Sequence, residues 1–445
     1  MSNKLDRRKF VTASAGIVAG ARAALASGRV VGANDRIRMG FIGVRNRGSQ
    51  IMDAALPNKD VEVVAICDCY EPPLKKWSGK LGSKVDVYHD FRRLIERNDI
   101  DAIGIATPDH WHAIQTIDAC RSGKDVYVEK PLSITIHEGR RMAEVAAEEK
   151  RIVQVGVHRR SAPHFYDLAK LVQGGAIGKV TVARCYRISN MSPTGIGKDP
   201  DSDPPPDLDW DMWLGPRAKR PYNKNICPYK FRWWKSYSSQ MGNWGVHYFD
   251  VIRWMLGEEA PASVSVHGGR WAVDDARTVP DTMEAVFEFA SGRLLIFGQY
   301  EASNNRMWPV DFRNIDFELR GTLGTVYGGG GGYQIVPETG GQFESPEPRM
   351  KPVLRAVEAN RDMGRANPIM TAAHMRNFLD CVKSRKRPHA DLEVGHRSTT
   401  FAHLGNIALA TKSRLEWDSR AERITNNPAA NKLLHYEYRQ PWKLS

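Results

Sequence analysis

Between residues 34 and 157, short apolar runs alternate with amphipathic stretches, and this pattern limits the fold more than any other feature of the chain. The runs at 37–44 (IRMGFIGV) and 61–68 (VEVVAICD) are nearly continuous in apolar residues, which is typical of strands buried on both faces. The stretch 111–122 between two later runs has helical character. Strands that alternate with helices form a parallel sheet covered on both sides. We therefore predict an α/β fold that begins with a doubly wound parallel sheet.

The remaining elements divide the chain into two folded parts. In the first part we predict further strands at 102–106, 125–129 and 152–157, and helices at 48–56, 91–97 and 136–149. The second part, 158–445, opens with a helix at 164–173 and a strand at 179–188, and continues with a proline-rich irregular stretch at 189–237 and strand-like runs at 263–271, 282–289 and 293–300. Successive strands joined by turns predict a large open, mostly antiparallel sheet in an α+β domain. We expect the five glycines at 328–332 to form a flexible loop, because no strand-to-helix context surrounds them.

The first 33 residues have the pattern of an export signal followed by a linker. Arg7 and Arg8 precede an apolar stretch rich in alanine and glycine at 11–21, and Ala24-Leu25-Ala26 offers a small-x-small cleavage site. Arg22 interrupts the apolar stretch. We predict a twin-arginine signal peptide and a periplasmic protein.

Composition and charge exclude several classes of protein. The chain has 445 residues and a net charge of +13, but its basic residues are scattered and no nucleic-acid-binding motif accompanies them. No apolar run approaches the roughly 18 residues that a membrane-spanning helix needs. None of the six cysteines has C-x-x-C spacing, and prolines between the aspartates of 199–211 favour a rigid exposed loop over a calcium site. We expect no nucleic-acid partner, no membrane span and no metal.

A dinucleotide fingerprint follows the first strand. Gly43 and Gly48 occupy the first and third glycine positions of G-x-G-x-x-G, where they permit a tight turn and close helix–strand packing. Arg45 stands at the middle glycine position, where it either contacts phosphate by charge or blocks the site. Asp68 follows the second strand, 20 residues after Gly48, where a carboxylate accepts from ribose hydroxyls and repels a 2′-phosphate. The sequence therefore predicts a Rossmann domain over 34–157 that binds NAD.

Two further groups of polar residues follow strands of the same sheet. They come after the strands at 102–106 and 125–129, and ligands bind at the carboxyl ends of parallel strands. The candidate cofactor-binding residues are Gly43, Arg45, Asn46, Arg47, Gly48, Asp68, Thr107, Pro108, His110, His112, Glu129 and Lys130.

Four segments together resemble the glucose–fructose oxidoreductase/inositol dehydrogenase (Gfo/Idh/MocA) family, in its exported bacterial branch. They are ATPDHWH at 106–112, VYVEKPLS at 126–133, VGVHRRS at 155–161 and NWGVHYFDVIRWMLG at 243–257. The resemblance implies an N-terminal Rossmann domain, a C-terminal α/β domain with a large open sheet, NAD as cofactor, a carbohydrate or cyclitol substrate, and a homo-oligomer.

The resemblance also implies roles for individual residues. The family's lysine and histidine, which act on the substrate hydroxyl, correspond to Lys130 and His247. The family's aspartate four positions before the histidine is Asn243 here, and we expect it on the same helical face, holding the imidazole by a hydrogen bond. Expected catalytic residues are thus Lys130, His247 and Asn243, and expected substrate contacts are Lys130, His158, Arg159, Arg232, Trp233 and His247.

These observations predict an NAD-dependent oxidoreductase of a sugar, sugar derivative or cyclitol. Lys130 would polarise the reacting hydroxyl and His247 would take its proton as hydride leaves for nicotinamide C4. One alternative is a glycosidase or lyase that oxidises its sugar transiently with tightly bound NAD. Another is a sugar-binding protein without catalytic activity, which Arg45 and Asn243 favour.

Overall fold

The structure, a computed structural model, describes residues 36–305, 315–357 and 368–445. The predicted signal peptide and linker, 1–33, lie outside the described residues. Of the described helices, none is long and apolar enough to cross a membrane.

The first part of the chain forms the predicted parallel sheet. Its six strands are β1 (Ile37–Ile42), β2 (Val61–Cys67), β3 (Asp86–Tyr88), β4 (Ala102–Ile105), β5 (Asp125–Val128) and β6 (Val153–Val155). They lie in the order β3-β2-β1-β4-β5-β6, and every neighbouring pair is parallel. The strand order reverses between β1 and β4, so their carboxyl ends form the crevice in which such sheets bind ligands.

Five helices accompany this sheet: α1 (Asn46–Ala55), α2 (Glu71–Leu81), α3 (Phe91–Ile95), α4 (His112–Arg121) and α5 (Ile136–Glu148). Helix α2 and strand β3 are additions to the predicted elements. Two prolines in the first turn of α2 and three largely exposed residues in β3 give neither element a clear apolar period. A complete capping box starts α5, where Thr135 and Glu138 satisfy each other's backbone amides.

The second part is built on a large mixed sheet. Its strands are β7 (Val180–Asn190), β8 (Ser263–Gly269), β9 (Thr282–Glu288), β10 (Leu294–Tyr300), β11 (Ala302–Ser303), β12 (Phe317–Gly321), β13 (Gly324–Gly329), β14 (Gly332–Pro337), β15 (Val353–Ala356), β16 (Leu415–Asp418) and β17 (Arg423–Ile424). They run in the order β15-β14-β13-β12-β7-β10-β9-β8-β16-β17, with β11 paired to β7. Among these pairings β7 and β10 are parallel and the others antiparallel, so the predicted fold class is confirmed.

The glycines at 328–332 are not the flexible loop that the sequence predicts. Gly328 and Gly329 close β13, and Gly332 opens β14, so the run is the tight turn of an antiparallel hairpin. Gly332 has φ of +117°, a conformation that side chains disfavour and glycine adopts freely. The sheet neighbours, rather than the local sequence, order this segment.

Helices cover one face of the second sheet and also return to the first domain. They are α6 (Pro163–Gln173), α7 (Trp210–Leu214), α8 (Val246–Leu256), α9 (Pro368–Ser384) and α10 (Leu392–Thr411). Phe249 of α8 and Phe401 of α10 stack in the core beneath the sheet. Phe378 of α9, in contrast, lies in the core of the first domain, as does Tyr438 near the end of the chain. The end of the chain therefore braces both domains around the crevice at β1 and β4.

Candidate active site

The turn between β1 and α1 has the geometry that a dinucleotide-binding turn requires. Gly43 has φ of +80°, and a Cβ there would lie 2.7 Å from the backbone nitrogen of Thr107. A Cβ on Gly48 would lie 1.8 Å from the carbonyl oxygen of Gly43. Only glycine fits at either position, so the strand and helix can approach as closely as the fingerprint demands.

The N-terminus of α1 opens onto the crevice without a side-chain cap. Arg45 is the N-cap residue and makes no capping hydrogen bond, and Asn46 behind it is exposed. Uncapped backbone amides at a helix N-terminus, together with the helix dipole, bind phosphate groups. The Arg45 side chain reaches across the crevice, where its Nη1 donates to the carbonyl oxygen of Pro228 at 3.4 Å.

Asp68 is fixed at the opposite wall of the crevice. Its carboxylate accepts hydrogen bonds from the backbone amides of Val44 and Tyr70, each at 3.0 Å. Burial raises the pKa of Asp68 to about 6, although the two amides and the charge of Arg45 oppose the shift. Two carboxylate oxygens have lone pairs beyond these two bonds, so Asp68 can still accept from a ribose diol.

A cavity connects these features and is walled by both domains. The predicted residues that line it are Gly43, Arg45, Asn46, Arg47, Asp68, Thr107, Pro108 and Arg232. Because the glycine turn, the uncapped helix and the ribose acceptor all face one cavity, the residues present fit a dinucleotide.

The cavity wall from the second domain comes from a segment that the sequence predicts as irregular. Met212, Trp213, Cys227, Pro228 and Phe231 all line the cavity. This segment is joined to the first domain after β2, where Leu208 pairs with Tyr70 and the backbone amide of Asp209 donates to the carbonyl oxygen of Cys69 at 2.9 Å. Because its short aromatic stretches have neither a helical nor a strand period, the sequence of this segment does not indicate that it lines a cavity.

His110 and His112, which the sequence predicts as cofactor contacts, lie behind the cavity wall and are not among its lining residues. His110 is fully buried, its Nε2 bonds to the Trp213 carbonyl oxygen at 2.8 Å, and burial lowers its pKa to about 3. The two ring nitrogens of His112 bond to the carbonyl oxygens of Thr107 and Pro131. His112 thus joins the loops after β4 and β5, and His110 joins the first of these loops to α7 of the second domain.

Glu129 is also buried, and it holds neighbouring residues in place rather than lining the cavity. Its Oε1 accepts from Arg47 Nε at 2.8 Å, and its Oε2 accepts from the backbone amide of Lys130 at 3.2 Å. The carboxylate leaves no room for a side chain at Gly156, where a Cβ would lie 2.6 Å from Oε1. Glu129 thus ties the phosphate-binding turn to the loop that carries Lys130.

Lys130 extends from the end of β5 toward the second domain. Its Nζ donates to the backbone oxygen of Asn243 at 2.6 Å and to Asn243 Oδ1 at 3.2 Å. Burial lowers the pKa of Lys130 to about 8, with Arg232 lowering it further and Glu129 and Asp109 opposing the shift. The amine is therefore mostly charged at neutral pH, while close to losing its proton.

His247 lies beside Lys130, but its relation to Asn243 differs from the prediction. Residues Met241–Gly245 form a π-helical turn and α8 begins at Val246, so the spacing of four no longer places the two side chains on one α-helical face. Within the described part of the chain, Asn243 bonds to Lys130, and Nδ1 of His247 is buried without a hydrogen-bond partner. Burial and nearby cations, Lys130 first among them, hold the pKa of His247 well below its usual range.

The other four predicted substrate contacts lie in different surroundings. His158 lies with its ring centroid 5.2 Å from that of His247. Arg159 is buried between aromatic rings and pairs with Asp316 at 2.7 Å, and Arg232 lines the cavity beneath the ring of Tyr229. The indole of Trp233 is buried and donates to Glu301, and Trp233 is not among the residues that line the cavity.

Sequence reasoning missed an aromatic support of the cavity. Trp111 and Phe91 line the cavity, and Trp442 near the end of the chain packs on both, with centroid distances of 4.7 Å and 6.2 Å. Nothing in the sequence around Trp442 points to α3 or to the turn before α4, where these two partners lie. Within the described residues, no group of three or more His, Cys, Asp or Glu side chains is placed to hold a metal ion.

Comparison with known proteins agrees with this geometry. The chain is 26% identical over 293 residues to inositol 2-dehydrogenase of Rhizobium meliloti (strain 1021), a match that covers 65% of this chain and 74% of that protein. It is 33% identical over 123 residues to glycosyl hydrolase family 109 protein 1 of Shewanella sp. (strain MR-4), covering 26% and 27% of the two chains. The crystal structure of levoglucosan dehydrogenase in complex with NADH and levoglucosan superposes with a TM-score of 0.64 at 19% identity, covering 86% and 99%.

Two family descriptions match the two domains in order. "Oxidoreductase family, NAD-binding Rossmann fold" matches residues 37–157, and "Oxidoreductase family, C-terminal alpha/beta domain" matches residues 164–306 and 362–444. The second match alone spans half of the chain. The protein therefore belongs to the Gfo/Idh/MocA family of NAD-binding oxidoreductases.

Proposed function

We propose that the protein is an NAD-dependent dehydrogenase of a hydroxyl group on a sugar, sugar derivative or cyclitol. The observation that carries the proposal is that Lys130, just after β5, acts by its charge on buried His247. Arg47 and Arg232, which line the dinucleotide cavity, act in turn on Lys130. The inositol and levoglucosan dehydrogenases among the relatives support the substrate class.

The protonation states of the two residues suit the roles we assign to them. Lys130, with a pKa of about 8, carries its proton at neutral pH and donates a hydrogen bond to the reacting hydroxyl. His247 is held neutral by burial and by the charge of Lys130, so its unpartnered nitrogen can accept the hydroxyl proton. When bound, NAD supplies the hydride acceptor, C4 of its nicotinamide.

The remaining residues bind and orient. The glycine turn and the amides that open α1 would hold the pyrophosphate, and Asp68 would hold the adenosine ribose. Glu129 and Arg47 fix the turn and the lysine loop relative to each other, which keeps Lys130 in place beside the substrate.

A direct assay tests the proposal. Purified full-length protein is incubated with NAD and a panel of sugars, sugar acids and cyclitols, and NADH formation is followed with the Lys130→Ala variant as control. NADH formation that depends on Lys130 supports a dehydrogenase. Absence of NADH with every compound of the panel contradicts it.

A second candidate function is hydrolysis or elimination of a glycoside through transient oxidation by retained NAD. It is favoured by the glycosyl hydrolase family 109 relative and by the segment 207–232, which walls the cavity from the second domain. Release of the aglycone from a nitrophenyl glycoside without added NAD, and without NADH accumulation, distinguishes this function from net oxidation.

The twin arginines at positions 7 and 8 support export as part of the proposal, and the family resemblance supports a homo-oligomer. We expect the full chain to accumulate in the periplasm and its Arg7→Lys/Arg8→Lys variant in the cytoplasm. Light scattering of the purified protein tests the oligomer, and a monomeric mass would contradict it.

A further inference from the structure

Arg187 lies on the inner face of β7, the central strand of the large sheet. Cys185 and Ala183, two and four residues before it, face the core on that side, and side chains two residues apart share a face of a strand. Arg184 is on the opposite face, where it pairs with Glu318 at 3.2 Å. Strand β7 thus carries Arg184 on its outer face and Arg187 on its inner face, where Arg187 lies beyond the edge of the apolar core.

The inner arginine packs on the turn that carries Asn243, the residue bonded to Lys130. Its guanidinium lies over the ring of Trp244 at 4.2 Å, and Trp244 follows Asn243 in the π-helical turn that contacts Lys130. Arg187 also acts electrostatically on Tyr248, which follows His247. Stacking on an aromatic face orients a guanidinium while leaving its edge free for a planar partner.

Within the described part of the chain, this arginine forms no salt bridge. Nε of Arg187 is buried and makes no hydrogen bond. The carboxylates closest in the site are already paired, Asp316 with Arg159 at 2.7 Å and Glu301 with Arg277 at 2.5 Å. The charge of Arg187 acts on Glu301, but within the described residues the Glu301 carboxylate accepts from Arg277 and Trp233 rather than from Arg187.

A second guanidinium nitrogen is in the same situation. Nη1 of Arg159 is buried without an acceptor, although the same residue pairs with Asp316 through Nη2. Arg159 lies over the ring of Tyr248 at 5.1 Å, the residue on which Arg187 also acts. Buried donors without acceptors are rare in folded proteins because leaving them unpaired costs free energy.

We propose that the substrate is an acidic sugar, whose carboxylate or phosphate group is bound by Arg187 with the help of Nη1 of Arg159. This proposal rests on the proposed function, because it places the substrate's reacting hydroxyl at Lys130 and His247 and its anionic group at Arg187. Arginine recognises both anions through paired N–H donors, so the experiment compares the two.

The test uses holoenzyme saturated with NAD and four matched compounds: glucuronate, gluconate, glucose 6-phosphate and glucose. We expect at least one acidic compound to be oxidised with a KM about tenfold or more below that of glucose. Arg187→Gln should raise the KM for that compound about tenfold or more, with a smaller change in kcat, and should leave the KM for glucose unchanged. Arg184→Gln, on the outer face of the same strand, should change neither.

Binding is measured in parallel by quenching of NADH fluorescence in the protein–NADH complex, so that slow turnover does not obscure the result. Arg187→Lys keeps the charge but not the paired donors, and we expect it to retain part of the preference. Equal or tighter binding of glucose, or an Arg187→Gln effect that is the same for acidic and neutral compounds, overturns the proposal. If glucose alone is oxidised, the proposed dehydrogenase stands while the acidic substrate is rejected.

Discussion

The amine of Lys130 donates to both oxygens of Asn243, to the backbone oxygen at 2.6 Å and to Oδ1 at 3.2 Å. The family pattern predicts a partner of His247 at this position, whereas the structure places residue 243 against the lysine. The chemical nature of residue 243 should therefore be expressed in the ionisation of Lys130.

Asn243→Asp should raise the pKa of Lys130 above its value of about 8, because a carboxylate at hydrogen-bond distance favours the charged amine. If the ammonium form is required, activity is present below this pKa and is lost as pH rises through it. The basic limb of the pH–rate profile should move to higher pH in the variant.

Asn243→Ala is the matched control, since it removes Oδ1 but keeps the backbone acceptor. Losing an acceptor of the charged amine lowers its pKa, so the limb should move to lower pH. Profiles of kcat/KM between pH 6 and pH 10 would contradict the assignment if both variants shifted in the same direction, or if neither shifted.

Removing either proposed catalytic side chain should reduce turnover while sparing cofactor binding. Lys130→Ala and His247→Ala should each lower kcat about 10²–10⁴-fold, the usual contribution of a positioned acid–base group. Neither residue lines the dinucleotide cavity, so the Kd for NADH, measured by fluorescence, should change little. A fully active His247→Ala variant would show that another group accepts the proton.

The preference for NAD over NADP should depend on pH. With a pKa of about 6, Asp68 is charged at pH 7.5 and repels a 2′-phosphate, so NAD should bind at least about tenfold more tightly. At pH 5 the carboxyl is mostly neutral, and the ratio of the two Kd values should fall. Asp68→Asn should show a low ratio at both pH values, apart from the titration of the phosphate itself.

Substitutions of Arg45 distinguish the two interpretations of the altered fingerprint, in which the arginine either contacts phosphate or blocks the site. Its side chain crosses the crevice to Pro228 and lines the cavity. If it binds pyrophosphate, Arg45→Ala should weaken NADH binding, as we expect from its charge next to the uncapped α1. Tighter NADH binding by Arg45→Gly, measured by titration, would show instead that the arginine obstructs the site.

Much of this architecture could be predicted from local sequence. The strands β1, β2, β4 and β5 are nearly continuous apolar runs, and Gly43 and Gly48 stand where only glycine fits. The parallel sheet, the glycine turn and the position of Asp68 at the end of β2 could therefore be predicted. These features depend on residues close together along the chain.

Contacts between distant segments could not be predicted in the same way. Asn243 meets Lys130 across 113 positions, and the local π-helical turn that makes this possible has no sequence period of its own. The sequence predicts Trp233 as a sugar contact, but its indole bonds to Glu301, between β10 and β11, and His110 is buried against Trp213. Packing between segments far apart in the sequence determines the contacts of each of these side chains.

The end of the chain provides the last test, because Trp442 supports the cavity from outside. Its ring packs on Trp111 and Phe91, which line the cavity. Trp442→Ala should lower the free energy of unfolding by about 1–3 kcal/mol, from lost burial and aromatic contact. It should also weaken NADH binding severalfold, because the wall of the cavity loses the ring that packs behind it.

Trp271→Ala, at a side chain that is 71% exposed, is the matched control and should change neither the melting temperature nor the Kd for NADH. Loss of stability without any loss of NADH affinity would show that the tail braces the fold but not the cofactor site.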